Sequence, residues 1–310
     1  MIMASGVPVL AEGHWVGIPI AVAGAVMLSL GTWFQSRGVV AAVAGSGSLN
    51  GQHLGVLIRR PVWAAGTAML GVAIMLQLAA LRFSPLMVVQ PIGAVALVVT
   101  EVIHLAVSGR RPGARRVVAV VLCVGGIAAF VVIAALWVVD VPITDEYLRT
   151  VLLLLALVLV AVAAAFRWAR QHLNAIAYTV GAGVLYGFVA TLAKTVLGRV
   201  VQGQFGWLSL TALAGLLLAT AVGAWLVQHA HTAGRPELVV AGLTVVDPLI
   251  AVTLAITVLG EAATAPPAAF MGFLLTGALA VTGVMALTTA GTASPTPEQG
   301  PLSGPLPPGR

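Results

Sequence analysis

Three charged residues, Glu101, Lys194 and Asp247, stand inside otherwise apolar stretches of this chain, with His104 one turn from the first of them. In apolar surroundings a carboxylate, an imidazole or an ammonium can hold a cation, pass a proton or neutralise another charge, because few groups compete for it. Glu101 and His104 are spaced i, i+3, so they meet on one side of a helix and a proton could pass between them. Gln90 shares that side: at 3.6 residues per turn, Gln90, Glu101 and His104 fall within about 60° of one another. The bland alternative is that His104 snorkels from a helix end while Glu101 pairs with it or with an arginine. Asp247 directly precedes Pro248. A proline inside a helix removes one hydrogen bond and displaces a carbonyl, leaving backbone oxygens beside the carboxylate that could hold a cation or a proton. Lys194 could neutralise Asp247, bind an anionic substrate, or snorkel to the headgroups.

The elements that must position these residues are nine apolar runs, near 15–36, 62–81, 84–108, 117–138, 150–166, 176–198, 207–229, 238–258 and 266–289. Each is close to the roughly 20 residues that cross a bilayer as a helix. Of the 15 Lys and Arg and the nine Asp and Glu residues, only Glu101, Lys194 and Asp247 fall inside a run. A charge at the bilayer centre costs roughly 2.5–3.5 kcal/mol on insertion scales, which is why the rest lie in loops and tails. The composition agrees, at 60% hydrophobic and 8% charged, with a mean hydropathy of +1.08. The expected fold is an all-α polytopic membrane protein with nine transmembrane helices; segment 37–58 could be re-entrant, and if it crosses the count becomes ten and the N-terminus moves inside.

The formal charge of +6 marks topology rather than affinity for nucleic acid. With the N-terminus outside, eleven arginines fall on the cytoplasmic side, Arg110, Arg111, Arg115 and Arg116 among them. Only Arg82, Arg149 and Arg199 fall outside, a positive-inside bias that predicts N-out and C-in in the bacterial plasma membrane. Cys123 is alone, so no disulfide or cysteine–metal framework is expected. The start, MIMASGVPVLAEGH, has no basic segment of the kind that opens a cleaved signal peptide. No HExxH, Walker A or GxSxG pattern occurs, which points away from an intramembrane enzyme and from ATP hydrolysis; no cofactor is expected. Residues 1–290 read as a single transmembrane domain. The Pro/Gly/Ser-rich tail 291–310 reads as disordered, since it cannot bury enough apolar surface to offset ordering entropy.

Residues 80–109 and 230–260 are parallel in pattern. Each follows a Trp-containing span, enters through Ala and Pro, and carries a polar–Pro pair, Gln90-Pro91 and Asp247-Pro248. They are the third and eighth spans, five apart, and therefore cross in opposite directions. This predicts inverted repeats, 15–138 and 176–289, with span 150–166 as the reversing linker and helix breaks at Pro91 and Pro248. Inverted repeats with midplane sites on interrupted helices are a signature of secondary transporters.

Several segments resemble the drug/metabolite transporter superfamily, and within it the NIPA-like branch associated with magnesium transport. They are TWFQSRG at 32–38, WAAGTAMLG at 63–71, AALRFSPLMVVQPIGA at 79–94, YTVGAGVLYGFVATLAK at 178–194 and TVVDPLIAVTLAITVLGE at 244–261. Gln90 stands where NIPA-like chains carry Thr, Gln77 where they carry Asn, and Arg110-Arg111 replaces a pair containing an acid. The resemblance implies a gradient-driven or passive permease working by alternating access between spans 3, 6 and 8, with a small-molecule or divalent-cation substrate. Glu101 and Asp247 would bind the coupling ion, or Mg²⁺ if that is the cargo, since Mg²⁺ keeps several waters and needs only one or two carboxylates. Gln90 would orient substrate, with Lys194 and His104 as further candidates. A homodimer is left open. The competing expectations are a non-transporting accessory protein of envelope assembly and a flippase for a lipid-linked sugar, which would need an opening between helices toward lipid.

Overall fold

The computed structural model describes residues 14–43, 60–109, 111–169 and 173–292. They form ten helices and, among the described residues, no strand. The helices are α1 (His14–Val43), α2 (Pro61–Phe83), α3 (Leu86–Gly93), α4 (Val95–Ser108), α5 (Ala114–Trp137), α6 (Asp145–Ala169), α7 (Ala175–Val201), α8 (Trp207–Ala233), α9 (Pro236–Thr257) and α10 (Pro267–Thr292). Nine segments of the described residues are long and apolar enough to cross a membrane, α3 and α4 together making the third. The protein is an all-α polytopic membrane protein. Helix α1 runs on to Val43, so the first part of segment 37–58 continues the first span; residues 44–59 and the tail 293–310 lie outside the described residues.

Helix ends follow local chemistry. Pro61 and Pro236 open α2 and α9 at positions where a missing N–H costs nothing. Asn174 caps α7, its Oδ1 accepting from Ala177 N at 2.9 Å. Gly109 and Gly260 take the left-handed conformation, with φ of 65° and 70°, just beyond α4 and α9. The expected helix breaks differ from the observed ones. Pro91 lies within α3, and the interruption falls at Ala94, where the chain stays right-handed but tightens into i→i+3 bonds, Ala94 N to Pro91 O and Leu97 N to Ala94 O. Pro248 interrupts nothing, since α9 is continuous from Pro236 to Thr257. One proline removes one bond, and neighbouring helices can hold the remainder of the helix in place.

The helices pair in a pattern that repeats. Helix α1 packs on α2 as α7 packs on α8, and α1 lies on α3 and α4 as α7 lies on α9. Helices α3 and α4 lie on α5 as α9 lies on α10, while α3 meets α9 and α5 meets α10 across the middle. Helix α6 rests on α7 and α8. These contacts use glycines to let backbones approach, as membrane helices do where lipid supplies no hydrophobic drive. A Cβ at Gly283 of α10 would lie 2.2 Å from the backbone N of Cys123 in α5, and one at Gly126 of α5 would lie 2.5 Å from the N of Ala280. Gly125, one position round the helix, has nothing within 4 Å.

Gly283→Val and Gly126→Val should therefore force α5 and α10 apart, at an overpacking cost of about 1–3 kcal/mol or more. Gly125→Ala should be neutral or mildly stabilising. Thermal unfolding of the detergent-purified variants measures this; equal melting temperatures for Gly283→Val and Gly125→Ala would refute the packing account.

Candidate functional site

The densest polar structure lies at one end of the bundle, where the chain between α2 and α3 meets the residues after α5, α7 and α9. Helix α3 begins at Pro85 with no side-chain cap of its own, which leaves its first N–H groups without partners in the helix. Glu261 supplies them. Its Oε1 accepts from Leu86 N at 2.8 Å and its Oε2 from Met87 N at 2.9 Å. The carboxylate also lies against the positive end of the α3 dipole. Glu261 arrives there because the chain folds back over the last turn of α9: Glu261 N donates to Ala255 O at 3.0 Å, and Gly260 just before it takes the left-handed conformation that the reversal needs. Its own carbonyl accepts from Val139 N at 3.0 Å.

The same junction is held from its carbonyl side by Lys194, one of the residues singled out in the sequence. The Lys194 Nζ donates to Leu81 O at 2.8 Å and Ser84 O at 3.1 Å, and pairs with Asp140 Oδ1 at 2.8 Å. Those three acceptors account for the three ammonium donors. Its ion-pair partner is thus Asp140 and not Asp247, and it is buried rather than snorkelling. One turn further along α7, Arg199 is also buried. It donates to Gln204 Oε1 at 2.6 Å and to Asp145 Oδ1, while its Nε is buried without a partner. Lys194, Arg199, Arg82, Asp140 and Asp145 line an open cavity of about 970 Å³.

Sequence reasoning missed Glu261 and Arg199, both taken as charges outside the spans. A signal for Glu261 was present: an isolated acid after a glycine at the end of an apolar run, with an uncapped Ser84-Pro85 helix start elsewhere in the chain.

The remaining candidates are dispersed. Gln90 is buried on α3. Glu101 on α4 is taken by Arg116 of α5, Nε to Oε1 at 3.0 Å, and His104 is exposed, so the polar stripe splits into an inward, a paired and an outward residue. Asp247 lies against α7, where Cβ atoms at Gly183 and Gly187 would meet its backbone N at 3.4 Å and O at 3.0 Å. Its Oδ1 is buried and has no hydrogen-bond partner. Measured from the Glu101-bearing end of the bundle, Glu101 is about 10 Å and Asp247 about 16 Å along their spans at 1.5 Å per residue. They sit on different helix contacts, α4–α5 and α9–α7. Among the described residues no group of three or more His, Cys, Asp or Glu could hold a metal ion.

No family model matches the chain, and no solved structure matches it. A protein of Corynebacterium glutamicum described as uncharacterized is 25% identical over 252 residues, 81% of this chain and 86% of that protein. The likeness therefore extends over most of both chains.

Glu261 lies between the spans, and burial pushes its carboxyl from 4.5 up to about 7. Asp140 adds to the rise, while the Met87 and Leu86 N–H groups and the Lys194 ammonium pull the other way. Between those two values the folded state binds more protons than the unfolded chain, so stability is present at acid pH and lost as pH rises toward 7. Over that interval the loss is about 3 kcal/mol for this group. The melting temperature should fall accordingly, and Glu261→Gln should flatten that slope. A slope of the same size in Glu261→Gln would remove Glu261 as its source.

Proposed function

We propose that the protein is a secondary transporter of the drug/metabolite transporter type, working in the plasma membrane by alternating access between two inverted repeats. The observation that carries this reading is a difference between two counterpart helix starts. At the Glu261 end, the first five residues of α3, Leu86 to Gln90, are all buried. At the opposite end, Pro236, Glu237, Leu238 and Val240 of α9 are exposed and only Val239 is buried among its first five. The repeated helix pairings support treating α3 and α9 as equivalents, and equivalents in different surroundings are what a transporter closed at one end and open at the other contains. Glu261 and Lys194 are then the closed gate. The arginine distribution supports an outer position for that gate, with the N-terminus outside and the C-terminus cytoplasmic.

Asp247 is the coupling residue of this reading. An orphaned buried carboxylate oxygen costs free energy until a donor, proton or cation meets it, so its occupancy can bias one state over the other. Glu101, held by Arg116, serves as a positioning charge at the open end. This geometry favours an organic solute over Mg²⁺, because shared coordination by Glu101 and Asp247 would require breaking the Arg116 pair and moving the two helices together.

The test uses proteoliposomes and single cysteines in a Cys123→Ser background. Leu238→Cys should react with a membrane-impermeant maleimide from one side and Met87→Cys from neither. Substrate or a pH gradient should lower the first rate and raise the second. Asp247→Asn should accumulate normally, abolish transport, and freeze both rates. Cysteine reactivities that no solute and no gradient changes, or wild-type transport by Asp247→Asn, would overturn the reading.

A further inference from the structure

A second cavity, of about 400 Å³, lies within the membrane depth between α3, α5, α9 and α10. It falls in the roughly 300–1,000 Å³ range of small-molecule sites. Both prolines of the repeat pattern, Pro91 and Pro248, line it, facing Phe130 and Phe273. No ionisable side chain is among its lining residues. The hydroxyls that reach it are already used: Thr244 Oγ1 donates to Val240 O and Thr253 Oγ1 to Leu249 O, at 2.8 and 2.7 Å. A water there would find no free donor and only these two hydroxyl oxygens as acceptors, fewer partners than buried waters usually have, in a lining that is otherwise apolar.

Its mouth identifies what can enter. Leu249 and Leu274 border the cavity and are exposed, and both lie well inside spans, Leu249 in Pro236–Thr257 and Leu274 in Pro267–Thr289. At that depth the neighbouring medium is hydrocarbon, not water. The lining runs from Thr244 to Ile256 on α9 and from Phe273 to Val284 on α10, about 18 Å at 1.5 Å per residue. That is roughly half of a hydrocarbon core about 30 Å thick, the reach of the chains of one leaflet. A linear chain entering sideways between α9 and α10 matches the cavity in length, chemistry and route.

We infer that this groove is a binding site for one hydrocarbon chain of a bilayer amphiphile, which makes an amphiphile with a linear apolar tail the substrate class of the transport proposed above. The inference rests on that reading for transport but not for binding. A chain seated against Pro248 would lie one residue from Asp247, on the adjoining face of α9, so tail binding and the coupling carboxylate would act on the same helix.

The full-length protein in nanodiscs containing a phospholipid with a diazirine in its acyl chain tests the site. After irradiation and digestion, adducts should concentrate on residues 244–256 and 273–284. The α6 surface, where Leu153 and Leu157 are exposed, serves as the comparison for ordinary lipid contact. Gly277→Phe should lower groove labelling several-fold and leave α6 labelling unchanged. The nearest atoms to a Cβ at Gly277 are those of the Phe130 ring, at 3.9 and 4.0 Å, so the variant has room to fold, and gel filtration checks that it does. Ala278→Phe provides a second filling variant. Labelling no denser in the groove than on α6, or groove labelling unchanged in both folded variants, would overturn the inference. The readout is binding alone, so failure of Asp247→Asn to affect transport would count against the transporter reading and leave this result intact.

Discussion

The short chain between α2 and α3 is held on both sides by charged groups from elsewhere in the sequence. Lys194 takes the carbonyls of Leu81 and Ser84, and Glu261 takes the amides of Leu86 and Met87. In a membrane protein this is a strong constraint, because a helix end without water must find every partner within the protein. The arrangement joins four parts of the fold at one point: α2, α3, α7 and the turn after α9. Asp140 and the backbone of Val139 add the residues after α5. Helices that would otherwise slide along glycine-lined contacts are thereby fixed at one end.

Among the described residues, the opposite end shows no counterpart of this clamp. Arg235 begins α9 without a side-chain cap hydrogen bond, and Glu237 beside it reaches Arg235 only at 3.9 Å with both side chains exposed. Exposed pairs of that kind contribute about 0–1 kcal/mol. Glu261 and Lys194, by contrast, are buried with every polar atom engaged. Removing one partner of such a buried arrangement leaves an uncompensated charge, at a typical cost of about 3–5 kcal/mol. The two ends therefore differ in how many buried polar contacts hold them.

The spans themselves were legible in the sequence because their signal is composition, and composition needs no knowledge of neighbours. Lys194 and Asp247 were legible for the same reason: a charge in an apolar run stands out. Their partners were not. Lys194 meets Asp140 and two carbonyls more than a hundred residues earlier, contacts that no local pattern encodes. Glu261 was hidden by its place in a loop, where an acid needs no special reason, although Gly260 before it marked a sharp turn. The polar stripe of Gln90, Glu101 and His104 followed correct helical arithmetic but assumed that one face has one environment. Arg116 and the exposed side of α4 divided it. The prolines marked the right region and the wrong consequence, since they line an apolar groove and only one of their spans is interrupted.

The account depends on Glu261 closing one end of the bundle, and a distance measured across both ends tests it directly. Spin labels at Arg82 and Gln204 report on the Glu261 end, and labels at Arg111 and His231 on the other. In the wild-type protein the first pair should give a narrow distribution at a pH well above 7, where Glu261 is ionised. Glu261→Gln, which puts an NH2 donor where one of the two carboxylate oxygens accepts from Leu86 or Met87, should lengthen the first distance and shorten the second. Identical distributions at both ends in wild type and Glu261→Gln, in a variant that folds, would contradict the gate and the alternating-access account built on it.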